Sequence, residues 1–197
     1  QGQKCSACSR VIVLNGVYRM FLERLNQAAS SIRIGPPDQP GNRMGPLIDR
    51  RALERVRHFV QLGKKDGTCI LDRRMEGPGY FQGPVILTNL PPSHPVVQEE
   101  IFGPVVVVLP VSTIAEAVEL ANDSPYALTG GIYSRSPGNI QLARKSFDVG
   151  NLYINRPITG SLVARQPFGG HGLSGIGRKA GGCGYLEQFM VEKIVTE

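Results

Sequence analysis

The first ten residues, Gln1-Gly2-Gln3-Lys4-Cys5-Ser6-Ala7-Cys8-Ser9-Arg10, are polar and small and carry two thiols; Val11-Ile12-Val13 follows at once. This pattern reads as a turn that raises a thiol and then enters a strand. Cys5 is a candidate nucleophile, because only the thiolate attacks and exposed backbone N–H groups and a nearby cation favour it. Lys4 is the candidate cation, Gly2 lets the backbone approach a ligand closely, and Ser6 and Ala7 leave space around the sulfur. Other readings compete. A cysteine near a strand is often just a small buried hydrophobe. Cys5-x-x-Cys8 can also be a redox pair or half of a zinc site. Zinc needs a second pair, but Cys69 and Cys183 are isolated and His58, His94 and His171 are scattered, so no metal is expected. A redox pair would want a helix at its first cysteine, where Val11–Val13 reads as strand. A Cys–His hydrolase stays open, since partners in space are invisible in sequence.

The elements that must position this turn follow from periodicity. Gly16 to Ala29 carries Val17, Phe21, Leu22 and Leu25 at helical spacing. Asp49 is the expected N-cap of a helix from Arg50 to about Lys65, with Leu53, Val56, Phe59, Val60 and Leu62 inside. Strands are expected at Cys69–Leu71, Val85–Leu87, Val105–Leu109, Gly130–Tyr133 and Asn151–Asn155, with a turn at Glu76–Gly79. Helices are expected after Thr113, as an N-cap, and over Asn139–Lys145, while Pro91–Pro95 reads as too proline-rich to be regular. Strands alternating with helices predict an α/β layered domain with a mainly parallel sheet, in which ligands sit beyond the carboxyl ends of the strands. The glycine-rich tract Gln166–Gly175, running on to Gly181-Gly182, is read as an ordered loop offering backbone N–H groups to an anion. Phe189–Val195 alternates like a strand, which at a chain end can pair with another subunit.

With 197 residues, 41% of them hydrophobic, the chain is long enough for one well-formed core. Its 24 glycines and 15 prolines mark it as loop-rich. No apolar run is long enough to span a bilayer, so no integral membrane segment is expected. Four cysteines without a framework suggest a reducing compartment. The net charge of +6 is spread along the chain without interleaved aromatics, which argues for a solvated basic face and against nucleic acid. A chain whose first residues carry the reactive turn is expected to be part of something longer.

Four motifs in order, Gly2–Ala7 with Ser9-Arg10, Glu100–Pro104, Asn155-Arg156-Pro157 and Pro167–Gly170, resemble the C-terminal, catalytic half of the aldehyde dehydrogenases, and the resemblance runs from end to end. Gln3–Ala7, Gln166–Gly170 and Lys179–Gly182 are similar within that superfamily to pyrroline-5-carboxylate (glutamate γ-semialdehyde) dehydrogenases. The resemblance implies a catalytic domain over residues 1–186 with an oligomerisation strand over 187–197, and NAD as cofactor. It implies Cys5 as nucleophile, Glu100 on the nicotinamide-side ribose hydroxyls and Phe102 near the nicotinamide. It implies Ser6, Gly181, Gly182 and Phe189, with charge from Lys4, as the anchor for the substrate's far carboxylate. Where relatives often have proline after the glycine pair, this chain has Cys183-Gly184, a looser loop.

The implied partners are a small aldehyde and further copies of the chain, in a bacterial cytoplasm or a mitochondrial matrix. Fusion to proline dehydrogenase, as in many bacteria, is one arrangement open to the parent. The resemblance puts the NAD-binding domain, the general base and the oxyanion-hole asparagine upstream of Cys5, so these residues alone are expected to be inactive. Cys8 is expected to be a buried structural thiol, or else to form a reversible disulfide with Cys5. Two alternatives remain: a dehydrogenase for another aldehyde, and a non-catalytic oligomerising module.

Overall fold

The structure is a computed structural model that describes residues 1–75, 77–162 and 164–197. Glu76, part of the expected turn, lies outside the described residues. The backbone divides into two compact units, Gln1–Asp123 and Ser124–Glu197.

The first unit is a four-stranded sheet with a helix layer on each face. Its strands are β1 (Arg10–Leu14), β2 (Thr68–Asp72), β3 (Val85–Thr88) and β4 (Val105–Val111), in the order β1-β4-β3-β2. β4 runs parallel to both β1 and β3, and only β2 at the edge is antiparallel. Because side chains alternate across a sheet, the apolar runs of β3 and β4 feed two cores. Val85, Leu87, Val105, Val107 and Leu109 pack with Leu53, Val56, Phe59 and Val60 of α2 (Arg50–Asp66). Ile86 and Val108 face the other way, toward Tyr18, Phe21, Leu22 and Leu25 of α1 (Asn15–Ser30). An α/β layered domain with a mainly parallel sheet is thus observed.

Local signals in the sequence set the helix ends. Asp49 accepts a hydrogen bond from Ala52 N at 2.7 Å and caps α2. The proline-rich stretch is less irregular than expected. Pro95 opens a one-turn helix, α3 (Pro95–Gln98), where its missing N–H costs nothing, and His94 Nδ1 accepts from Val96 N at 3.2 Å. Thr113 caps α4 (Ile114–Asn122) through Glu116 N.

In the second unit, β6 (Thr129–Ile132) lies parallel to β7 (Asn151–Ile154), with α5 (Pro137–Ser146) between them in sequence. β5 (Tyr126–Ala127) pairs with β8 (His171–Gly172), inside the glycine-rich tract, which is therefore ordered. The tail departs from expectation. Leu186–Phe189 forms a 3-10 turn, and residues 190–197 form no strand within this chain. Alternation makes a strand only where a neighbouring backbone supplies the hydrogen bonds. No helix among the described residues is long and apolar enough to cross a membrane.

Candidate active site

Residues 4–7 form a turn closed by Ala7 N donating to Lys4 O at 2.9 Å. Cys5 at its crest is exposed, as is Lys4, while Ser6 beneath it is only 3% exposed. The reading of Cys5 as a buried hydrophobe is thereby excluded. Cys8, expected to be buried, is exposed as a residue. Its sulfur nevertheless turns inward to donate to Arg10 O at 3.4 Å, and desolvation there pushes its thiol pKa up.

Three ties hold the turn. Gly2 adopts φ 71°, and a Cβ on it would lie 2.6 Å from the Gly103 carbonyl carbon, so the two backbones are pressed together. The close approach expected of Gly2 is thus to Gly103 of the chain itself. Gln3 Oε1 accepts from Ile48 N at 3.1 Å, just ahead of α2. At the start of β1, Arg10 donates to the carbonyls of Leu120 (3.2 Å), Ala121 (2.9 Å) and Asp123 (3.1 Å), capping the end of α4. Burial lowers the pKa of this guanidinium, and the neighbouring Asp123 and Cys8 work against that shift.

The Glu100–Pro104 segment is built the same way. Ile101 is buried in the core, which leaves Glu100 and Phe102 exposed on either side of it. Phe102 sits at φ 57°, a left-handed conformation that a bulky residue adopts only when its surroundings impose it. Arg55 of α2 donates from Nη2 to Glu100 O at 2.6 Å and lies 5.0 Å from the centre of the Phe59 ring. A Cβ on Gly103 would run into Val56, so this loop rests directly on α2.

The contact of Gly2 with Gly103 thus ties the segment that carries Cys5 and Ser6 to the segment that carries Glu100 and Phe102. Both segments lead into parallel neighbouring strands, β1 and β4, so they meet at the amino ends of those strands. Carboxyl ends were expected. The difference arises because the reactive residues precede their strands in sequence. Sequence reasoning names Gln3, Arg10 and Gly103 only as motif positions and misses Arg55, since each acts on a residue tens of positions away.

Gly181, Gly182 and Phe189 belong to the second unit. Asn151 of β7 donates to Pro167 O at 2.8 Å and accepts from Gly169 N at 3.2 Å, which fixes the Pro167–Gly170 motif to the strand. Phe168 and Ala180 exchange both backbone hydrogen bonds at 2.9 Å. Gly181 follows at φ 73°, where L side chains are strained, and Gly182 O accepts from Tyr185 N at 3.1 Å. Phe189 is 70% exposed and meets Tyr185 edge-on at 5.6 Å. An open cavity of about 370 Å³ lies here, lined by Phe168, Gly170, Arg178, Tyr185, Gln188 and Phe189 among others.

An exposed thiol ahead of a parallel strand, locked to a loop that presents a carboxylate and an aromatic ring, defines an α/β domain equipped for thiol chemistry. The chain belongs to the aldehyde dehydrogenase family, whose model matches residues 1–195. It is 41% identical over 197 residues to a 1-pyrroline-5-carboxylate dehydrogenase of Geobacillus sp. (strain WCH70), covering all of this chain and 38% of that protein. A solved 1-pyrroline-5-carboxylate dehydrogenase from Thermus with bound NAD is 47% identical, with a TM-score of 0.92 over 96% of this chain and 37% of that one. Proline utilization A (PutA) from Bdellovibrio bacteriovorus is 46% identical, with a TM-score of 0.93 over 96% of this chain and 20% of its own. The chain thus spans well under half the length of the relatives it matches.

Proposed function

We propose that these residues supply the nucleophile and the substrate anchor for oxidation of L-glutamate γ-semialdehyde, the open form of pyrroline-5-carboxylate, to glutamate. The observation that carries this reading is the exposed Cys5 standing over buried Ser6, on a turn locked through Gly2 to the Glu100–Phe102 loop. The family and the names of the relatives support it.

In this reading the Cys5 thiolate attacks the aldehyde carbon. A C–S bond forms and the carbonyl π electrons move to oxygen. Backbone N–H groups at the turn stabilise that oxyanion, a kind of contact whose loss costs about 3 kcal/mol per donor. NAD⁺, when bound, supplies the hydride acceptor. Loss of hydride leaves a thioester on Cys5; water then cleaves its C–S bond, releasing glutamate and restoring the thiol. The residues present fit the cofactor: Glu100 offers an exposed carboxylate suited to ribose hydroxyls, and Phe102 an exposed ring suited to a flat heterocycle. At the other end of the substrate a carboxylate needs hydrogen-bond donors. The N–H groups of Gly181 and Gly182 are assigned to it, with Phe189 packing on the carbon chain.

The direct test is NADH formation from glutamate semialdehyde by the full-length protein that carries this chain. Activity that vanishes in Cys5→Ala supports the reading; activity that survives this change overturns it. Residues 1–197 alone are expected to form no NADH, because the resemblance puts the base and the dinucleotide-binding domain in the part of the relatives they do not match. The family's oligomerising tail and a fusion like that of PutA belong to the same proposal; a monomeric full-length protein in light scattering would count against the first.

A further inference from the structure

The loop carrying the glycine pair is closed by a clasp that its backbone alone would not provide. Gly181, Gly182, Cys183 and Gly184 run consecutively, and three glycines in four positions leave this backbone little intrinsic stiffness. Arg178 compensates from both its backbone and its side chain. Its N–H donates to Gln188 Oε1 at 3.0 Å. Its Nη1 donates to Gly184 O at 3.1 Å and also pairs with the Glu187 carboxylate. The fit depends on Gly184, where a Cβ would collide with Arg178 Nη1, and on Gly177, where a Cβ would collide with Gln188 Oε1. Residues 178 to 188 thus form a ring with the glycine pair inside it and Phe189 at its exit.

We propose that Arg178, with Glu187, is a positioning device for substrate choice: it holds the Gly181-Gly182 backbone and Phe189 in the geometry that receives a carboxylate-bearing aldehyde. The inference rests on the reading given under Proposed function. A loop already ordered does not have to be ordered by the ligand, so the clasp acts on binding of the substrate's far end and leaves the chemical step alone. Both partners are more than half exposed, so their effect is on geometry rather than on overall stability.

The test uses the full-length protein and two substrates, glutamate semialdehyde and propanal, which has no carboxylate. In Arg178→Ala the KM for glutamate semialdehyde should rise about tenfold with kcat little changed, and propanal kinetics should stay near wild type. Glu187→Gln, which keeps the guanidinium and its bond to Gly184, should shift the same KM in the same direction by less, and it carries the test if Arg178→Ala fails to fold. Equal losses with both substrates, or a lower kcat at constant KM, overturn the clasp, as does an unchanged KM. If wild-type protein prefers propanal, the functional reading fails and the clasp falls with it. If wild type prefers glutamate semialdehyde and neither variant alters that preference, the clasp alone fails.

Discussion

Gly2 and Gly103 touch backbone to backbone: a Cβ on Gly2 would lie 2.6 Å from the Gly103 carbonyl carbon and 3.2 Å from Pro104 N. Through this contact the thiol turn and the Glu100–Phe102 loop, about a hundred residues apart in sequence, become one rigid assembly. Gly103 in turn has no room for a side chain against Val56, so the assembly is seated on α2. Gly2→Ala should therefore disturb both partners, through steric overlap and through its left-handed φ of 71°. We expect a loss of about 1–3 kcal/mol in urea unfolding and slower alkylation of Cys5 by iodoacetamide. Wild-type alkylation rates in Gly2→Ala would show that the contact does not position the thiol.

Arg10 joins β1 to the end of α4 through three carbonyls. A hydrogen bond from a charged donor contributes about 1.5–3 kcal/mol, bonds that share one guanidinium do not add, and the end of α4 is also where a cation is favoured. Arg10→Ala should destabilise the fold by roughly 2–3 kcal/mol, and Arg10→Lys by less, because an ammonium cannot span the same three acceptors. Hydrogen exchange should show the added opening at Leu120–Asp123; uniform protection there would contradict the capping role.

Asp72, at the end of β2, connects charge to pH. Its side chain is 8% exposed, and it accepts from Lys64 Nζ (2.5 Å), Arg74 Nε (3.1 Å) and Gln82 Nε2 (3.1 Å). Desolvation alone would raise its pKa; the hydrogen bonds from Lys64, Arg74 and Gln82 outweigh that and leave it lowered. A depressed folded pKa stabilises the fold above the unfolded value, about 3.9, and that stabilisation is lost as pH falls through the folded value. Stability should thus drop on acidification below about pH 4, and the drop should be shallower in Asp72→Asn. Identical acid limbs for the two proteins would remove Asp72 from the explanation.

Cys8 sits three residues from Cys5 in the same segment, and desolvation raises its pKa. A thiol held protonated is slow to attack. In peptide mapping after timed iodoacetamide treatment, labelling of Cys8 should increase with pH along a curve displaced above that of a free thiol. Coincidence with the free-thiol curve would refute the inward, desolvated placement of its sulfur. The displaced curve also bears on the Cys5–Cys8 disulfide: Cys8 should be an inefficient resolving thiol near neutral pH.

Local chemistry was enough to read much of this protein from its sequence. Asp49 and Thr113 cap their helices as their types and positions predict. The apolar runs at Val85–Leu87 and Val105–Leu109 are strands buried on both faces, as unbroken runs in a parallel sheet must be. The thiol turn before Val11–Val13 and the four family motifs were likewise legible, because each signal lies within a few neighbouring residues. The tail shows the limit of such reading, since alternation does not supply a backbone to pair with.

Only the tertiary structure decided that Gly2 meets Gly103, that Arg55 holds Glu100, that Arg10 closes α4 and that Arg178 clasps Gly184. It also placed the Cys5 and Glu100 segments together at the amino ends of β1 and β4, through the parallel register Arg10 to Val107. No propensity or spacing encodes these pairings. They arise when the packing of α1 and α2 on opposite faces of one sheet brings distant backbone segments within hydrogen-bonding reach.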